Sequence, residues 1–400
     1  MIADMLLDRL EDYYLYFCKR KSGWCILFCI ALFIGIGLIV LSSASLSFIR
    51  NESYFFKQLS WCAFSVPSFL VGCFVDLKFL KKYSTQILFI LFVTLILVLI
   101  PGIGRMVNGS RRWITIGGNN VQVSELAKIA VIIWVANYIN NNCCNKQLTI
   151  EKFVMPLVIT GIICALIFLE PDYGTAILIG SVAFTLLFLA GSKLRYMVIT
   201  MSLGLAGILL LIYLNPTRMR RITAFLDFEG NKLGGAYQLW QGILGFASGG
   251  LFGRGLGEGR QQIMYLPEPH TDFIFPILSE EMGSIFSCAL LVCYFLFFTS
   301  SMFAASNLKN KFSKFTSYGI SLTISYQVVI NIGVVTGLLP TKGMVLPFIS
   351  YGGSSIVLLM LMIGLLLNAL SSEIRSYDKD RDQHGISGVH NRHMRDLLEA

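Results

Sequence analysis

The sequence predicts an all-α polytopic membrane protein of about ten transmembrane helices, with a large extracytoplasmic loop between spans seven and eight. Three observations predict it. The 400 residues are 55% hydrophobic and only 14% charged, against about a quarter charged in soluble domains. Apolar stretches long enough to cross about 30 Å of hydrocarbon recur along the chain. Lys and Arg gather in alternate connections, as on the cytoplasmic side of a membrane. The formal charge of +9 therefore reads as loop charge facing anionic lipid, not as a nucleic-acid footprint.

The candidate spans lie near 24–44, 55–75, 86–101, 121–139, 153–170, 174–190, 194–214, 273–299, 317–339 and 344–370. The first could imitate a secretion signal, but it is too long and more spans follow. An even number of spans puts both termini on one side. Lys19, Arg20 and Lys21 before span one, Lys78, Lys81 and Lys82 after span two, Lys193 and Arg195 after span six, and Lys309, Lys311 and Lys314 after span eight make that side cytoplasmic. The expected organisation is a cytoplasmic tail 1–23, a membrane domain 24–372 with an outer loop about 215–272, and a polar cytoplasmic tail 373–400. The ten cysteines show no CxxC spacing and read as small buried apolar residues.

Arginines break the positive-inside rule in two outer loops, which suggests a bound anion. Arg111 and Arg112 beside Trp113 form a basic, aromatic-anchored platform. Arg218, Arg220 and Arg221 follow span seven. Glu125 and Lys128, three apart, share one helix face within the bilayer and can neutralise each other. Glu170-Pro171-Asp172-Tyr173-Gly174 reads as an outer turn, its acids either solvated or forming an acidic wall. The stretch SGGLFGRGLGEGRQQ, with Arg254, offers backbone amides to an anion but matches no nucleotide fingerprint. Tyr237 to Ser248 reads as a short amphipathic or re-entrant helix.

Glu268, His270 and Asp272 crowd the outer start of span eight, where one carboxylate could serve as a general base. Glu280 and Glu281 lie about two turns deeper, and buried acids need partners, for which Lys128 or Lys342 are candidates. The run LLPTKGMVLPFISYGGSS interrupts the membrane helices with two prolines and a Gly pair. Broken helix at that depth is tolerated where it lines a cavity, which Ser350, Tyr351, Ser354 and Ser355 could line.

In this order, NGSRRW, VQVSELAK, PDYG, RRITAFLD, YQLWQGILGFASGGLFGRGLG, YLPEPHTDFIF with SEEMG, and LLPTKGMVLPFISYGGSS resemble the SEDS family. These are the shape, elongation, division and sporulation proteins, membrane glycosyltransferases of peptidoglycan. The resemblance runs from the first span to Ser372, and NGSRRW and PTKG look more like the cell-division branch than the elongation branch. Gly259, Gln262, Pro269 and Phe228 depart from the family's usual residues.

The resemblance implies ten spans and polymerisation of lipid II onto a glycan strand carried on undecaprenyl pyrophosphate, in the bacterial inner membrane at the septum. It implies a class B penicillin-binding transpeptidase and other divisome proteins as partners, and no nucleic acid. Asp272 matches the family's essential acid. Arg111, Arg112, Trp113, Arg221, Arg254, Glu268, His270, Lys342, Ser350 and Tyr351 are the substrate-binding candidates. Glu125, Lys128, Asp172, Glu280 and Glu281 are expected to support them. A divalent cation, Mg2+ or Mn2+, is the candidate cofactor, with no metal ligand assigned. The rival readings are a lipid II flippase, which intramembrane charge such as Lys128 would suit, and a non-catalytic divisome scaffold.

Overall fold

A computed structural model describes residues 13, 21–45, 54–107, 110–116, 119–142, 149–214, 216–261, 270–341 and 343–383, without the side chains of a few of these, among them Arg221 and those from 373 onward. Helices coincide with every expected span. They are α1 (Lys21–Ser45), α2 (Tyr54–Phe74), the short α3 (Leu77–Lys82) and α4 (Ser84–Leu99). After a sheet come α5 (Val123–Asn142), α6 (Ile150–Leu169), α7 (Tyr173–Leu189), α8 (Leu194–Tyr213), α9 (Pro216–Leu226), α10 (Tyr237–Gly249), α11 (Ile274–Ser306), α12 (Lys311–Val335) and α13 (Gly353–Gln383). Among the described residues six helices are long and apolar enough to cross a membrane: those beginning at Lys21, Val123, Ile150, Ile274, Lys311 and Gly353.

The all-α expectation needs one correction. The loop after α4 folds into a three-stranded antiparallel sheet of β1 (Arg105–Val107), β2 (Ser110–Ile116) and β3 (Asn119–Gln122). The pairing Ile116↔Asn119 brackets the Gly117-Gly118 pair, a two-residue hairpin signal between β-branched strands.

Side-chain caps fix several helix starts. Asp76 accepts from Lys78 N at 3.0 Å, and Asn310 accepts from Ser313 N at 3.3 Å. α5 and α12 run through the bundle with most of their side chains buried. α2 and α13 approach closely, because a Cβ at Gly72 would lie 2.5 Å from Leu361 O. Asn368 Nδ2 then donates to Gly72 O and Val75 O, satisfying carbonyls at the end of α2. α8 stands at the periphery with Leu194, Val198, Met201, Leu205 and Leu209 outward, a surface suited to lipid.

Two interruptions place the site. α12 stops at Val335 and α13 starts only at Gly353, so the broken segment is longer than the sequence suggests. Its Phe348 is buried at a φ of 66°, left-handed backbone that a bulky residue rarely adopts. α11 is two helices joined at Gly283, whose φ of 85° and ψ of 170° break the hydrogen-bond ladder.

Candidate active site

Asp272 lies in the turn that opens α11, its side chain half-buried. Its carbonyl accepts a 2.9 Å hydrogen bond from Asn331 Nδ2 of α12, and the same nitrogen donates to Met344 O at 2.6 Å. One buried amide thus fastens the Asp272 turn to the broken segment. A Cβ at Gly343 would lie 2.8 Å from Asp272 Oδ2. The chain passes directly beside the carboxylate there, and a larger residue would make its oxygen shift.

His270 is buried against Tyr54 of α2, with ring centroids 3.9 Å apart, and meets the edge of Tyr351 at 5.8 Å. Its carbonyl accepts from Tyr351 N at 2.9 Å. Gln58 of α2 donates to Ser350 O and accepts from Gly352 N, both at 3.4 Å. Ser350 Oγ accepts from Leu346 N at 2.8 Å and so closes a turn of the broken segment. His270 and Tyr351 hold the approach to Asp272 in place.

The bundle supports this segment from within. Lys128 Nζ lies 2.7 Å from Glu125 Oε1 and donates to Gln327 Oε1 at 3.2 Å. Gln327 Nε2 donates to Val345 O at 3.0 Å, and Ser355 Oγ to Glu125 Oε2 at 3.3 Å. Glu125 and Lys128 are therefore a buried pair with further hydrogen bonds, the arrangement a buried pair requires.

The arginine platform divides in two. Strand side chains alternate between faces, so Arg111 and Trp113 share one face of β2 and Arg112 takes the other. Arg112 Nε donates to Glu170 O and its Nη2 to Pro171 O, both at 2.8 Å. Arg112 braces the 170–172 turn, which corrects its expected place on a common anion-binding face. The acids of that turn are not solvated. Asp172 caps α7 through Thr175 N and accepts from Gln122 Nε2 at 2.9 Å and Ser124 Oγ at 2.8 Å. Glu170 is 0% exposed, and neither carboxylate oxygen has a hydrogen-bond partner among the described residues. Desolvation, with Asp172 adding to it and Arg112 opposing, pushes its pKa up to about 8. The turn touches the broken segment at Gly174, where a Cβ would lie 3.0 Å from Met344 Cε.

Glu280 and Glu281 do not pair with Lys128. Glu280 Oε1 accepts from Ser248 Oγ at 2.9 Å and Arg260 N at 3.1 Å, and Oε2 from Gln261 N at 3.0 Å. Glu281 Oε1 accepts from Ser43 Oγ at 2.6 Å and Gly257 N at 3.1 Å. The carbonyls freed by the Gly283 break accept from Arg254 N and Gly255 N, while Ser284 N donates back to Gly250 O. These amides of the glycine-rich loop therefore serve protein acceptors and not an external anion. Arg254 Nε is likewise turned to Ser248 O at 3.1 Å.

Glu268 and Lys342, and the side chain of Arg221, lie outside the described residues. Among the described residues no three His, Cys, Asp or Glu side chains converge, and Asp172, Glu280 and Glu281 already face hydrogen-bond donors. Sequence reasoning missed Asn331, Gln327, Gln58 and Tyr54. A signal existed: Gln327 and Asn331 are four apart in an apolar helix, hence on one face.

The family model for FtsW, RodA and SpoVE, described as cell cycle protein, matches residues 23–374. The chain belongs to this family. It is 39% identical over 354 residues to the probable peptidoglycan glycosyltransferase FtsW of Coxiella burnetii, covering 86% of this chain and 95% of that one. It is 38% identical over 342 residues to stage V sporulation protein E of Bacillus subtilis, covering 84% and 93%. Its fold matches a chain from a peptidoglycan synthase complex that coordinates polymerisation and crosslinking (TM-score 0.74, 23% identity, 88% and 98% covered). It also matches the rod shape determining protein RodA of Thermus thermophilus (TM-score 0.66, 24% identity, 88% and 97% covered).

Proposed function

We propose that the chain is a peptidoglycan glycosyltransferase that polymerises lipid II at the outer face of the cytoplasmic membrane, in septal wall synthesis. The observation that carries the reading is the half-exposed Asp272 carboxylate beside Gly343, on backbone fastened by Asn331. Its family membership and the names of its FtsW relatives support the same reading. Ten spans, both termini cytoplasmic and a class B penicillin-binding transpeptidase as partner complete it.

In this mechanism Asp272 accepts the proton of the GlcNAc 4-hydroxyl of lipid II as that oxygen bonds to the anomeric carbon of the donor strand. The bond from that carbon to the pyrophosphate oxygen breaks, with inversion, and undecaprenyl pyrophosphate leaves. Arg111, on the face of β2 opposite Arg112, is the cation offered to the departing charge. Arg112 acts at one remove, by setting the 170–172 turn.

Purified protein with lipid II, with and without the transpeptidase, tests the reading by polymer on a gel. General-base catalysis contributes about 10²–10⁴-fold, so Asp272→Asn is expected to lose at least about 10²-fold with an unchanged melting profile. Near-normal polymer from the folded variant would remove Asp272 from the role. Lipid II translocation without polymer by the wild type would favour a flippase.

A further inference from the structure

A second opening lies away from this site, between α4, α5 and α6. It has a volume of about 460 Å³. Phe89, Trp134, Met155 and Ile163 line it together with Thr85, Asn137 and Asn142. The start of α4, the end of α5 and the start of α6 meet at one end, its mouth, where Thr85, Asn141 and Asn142 lie.

The mouth is basic. Lys152 Nζ donates to Asn142 O at 3.4 Å. α3, with Lys81 and Lys82 in its last turn, leads into α4 and packs on α5. The nearby acids are Asp76, which caps α3 through Lys78 N, and Glu151 in the first turn of α6. Lys78, Lys81, Lys82 and Lys152 outnumber them. Asn137 donates through Nδ2 to Ser84 Oγ at 2.7 Å, while its Oδ1 is buried with no partner among the described residues. A buried amide oxygen without a partner beside an apolar cleft calls for a hydrogen-bond donor from outside, such as a headgroup hydroxyl.

We propose that this cleft binds one anionic phospholipid, an acyl chain between α4, α5 and α6 and the headgroup at the lysine-bearing mouth. A cleft of this size admits a chain, whereas a partner helix about 10 Å across would need an open face. Basic pockets between spans on the cytoplasmic side suit anionic headgroups. The inference rests on the membrane fold and the side assigned to these lysines, and is independent of the proposed reaction.

Native mass spectrometry of the purified full chain, given equimolar phosphatidylglycerol and phosphatidylcholine, tests it. One phosphatidylglycerol is expected to bind, preferred about ten-fold or more, because each nearby basic side chain contributes on the order of five-fold. Glycerol 3-phosphate alone is expected not to bind. Met155→Trp, which fills the cleft, is expected to lose the lipid. Lys82→Ala with Lys152→Ala is expected to keep lipid but lose most of the headgroup preference, and so decides the matter if the tryptophan variant misfolds. Equal retention of both lipids, phosphatidylglycerol retained in folded Met155→Trp, unaltered preference in the lysine variant, or a cleft filled by the protein's own chain would each overturn the proposal.

Discussion

Asp272 and the pair Glu280–Glu281 stand on one short stretch of chain, and their surroundings differ in kind. Glu280 is 0% exposed and is held by two backbone amides and a hydroxyl. Asp272 is half-exposed, and it is its backbone that is fastened, by Asn331. A carboxylate ringed by amides closes a loop onto a helix break. One that is only half-buried, on backbone fastened by Asn331, can meet a substrate. The contrast shows that intramembrane acidity alone does not mark chemistry, because full burial and backbone amides commit Glu280 to the fold.

The largest expected effect breaks this contrast if it fails. Asp272→Asn is expected to abolish polymerisation while remaining folded. Glu280→Gln is expected to lose about 3 kcal/mol of stability, because an amide NH2 would face backbone N–H donors, with activity per folded molecule near normal. Thermal melts beside polymer gels check both, and a stable but inactive Glu280→Gln would reverse the assignment. Next comes Gly343→Ala, whose Cβ would press on Asp272 Oδ2. The carboxylate must shift to admit it, so single-turnover rates are expected to fall more than the melting temperature. Asn331→Ala follows, freeing two carbonyls at a cost of about 2 kcal/mol. Asn331→Asp, which restores no donor, is expected not to rescue it in the same melts.

The smallest effect concerns Glu170. Its pKa of about 8 in the folded chain lies above the ordinary carboxylate value of 4.5. The folded state therefore holds a proton that the unfolded state has lost, and stability falls as pH rises from 4.5 to 8. Glu170→Gln is expected to flatten that slope and raise the melting temperature at pH 8 by a few degrees. A variant less stable at pH 8 would show that Glu170 works there as a carboxylate.

Much of the molecule was legible beforehand. The helices follow from apolar runs and the Asp272 neighbourhood from polar residues where lipid would be expected. The sheet carrying Arg111 and Arg112 announced itself only through one Gly-Gly pair, too local a signal against so strong a helical background. The partners of Glu280, Glu281 and Glu170 were not legible at all.

By itself, then, the sequence determined the membrane class, the family and the places of the helices. Burial of apolar runs and the cost of polar groups in lipid are local properties written residue by residue. Only the tertiary structure decided which charges are used up within the protein. Arg112 on the 170–172 turn, Lys128 on Gln327, and the glycine-loop amides on Glu280 and Glu281 are hydrogen bonds between distant segments. Hydrogen bonds depend on distances of about 3 Å and on direction, which spacing along the chain does not fix.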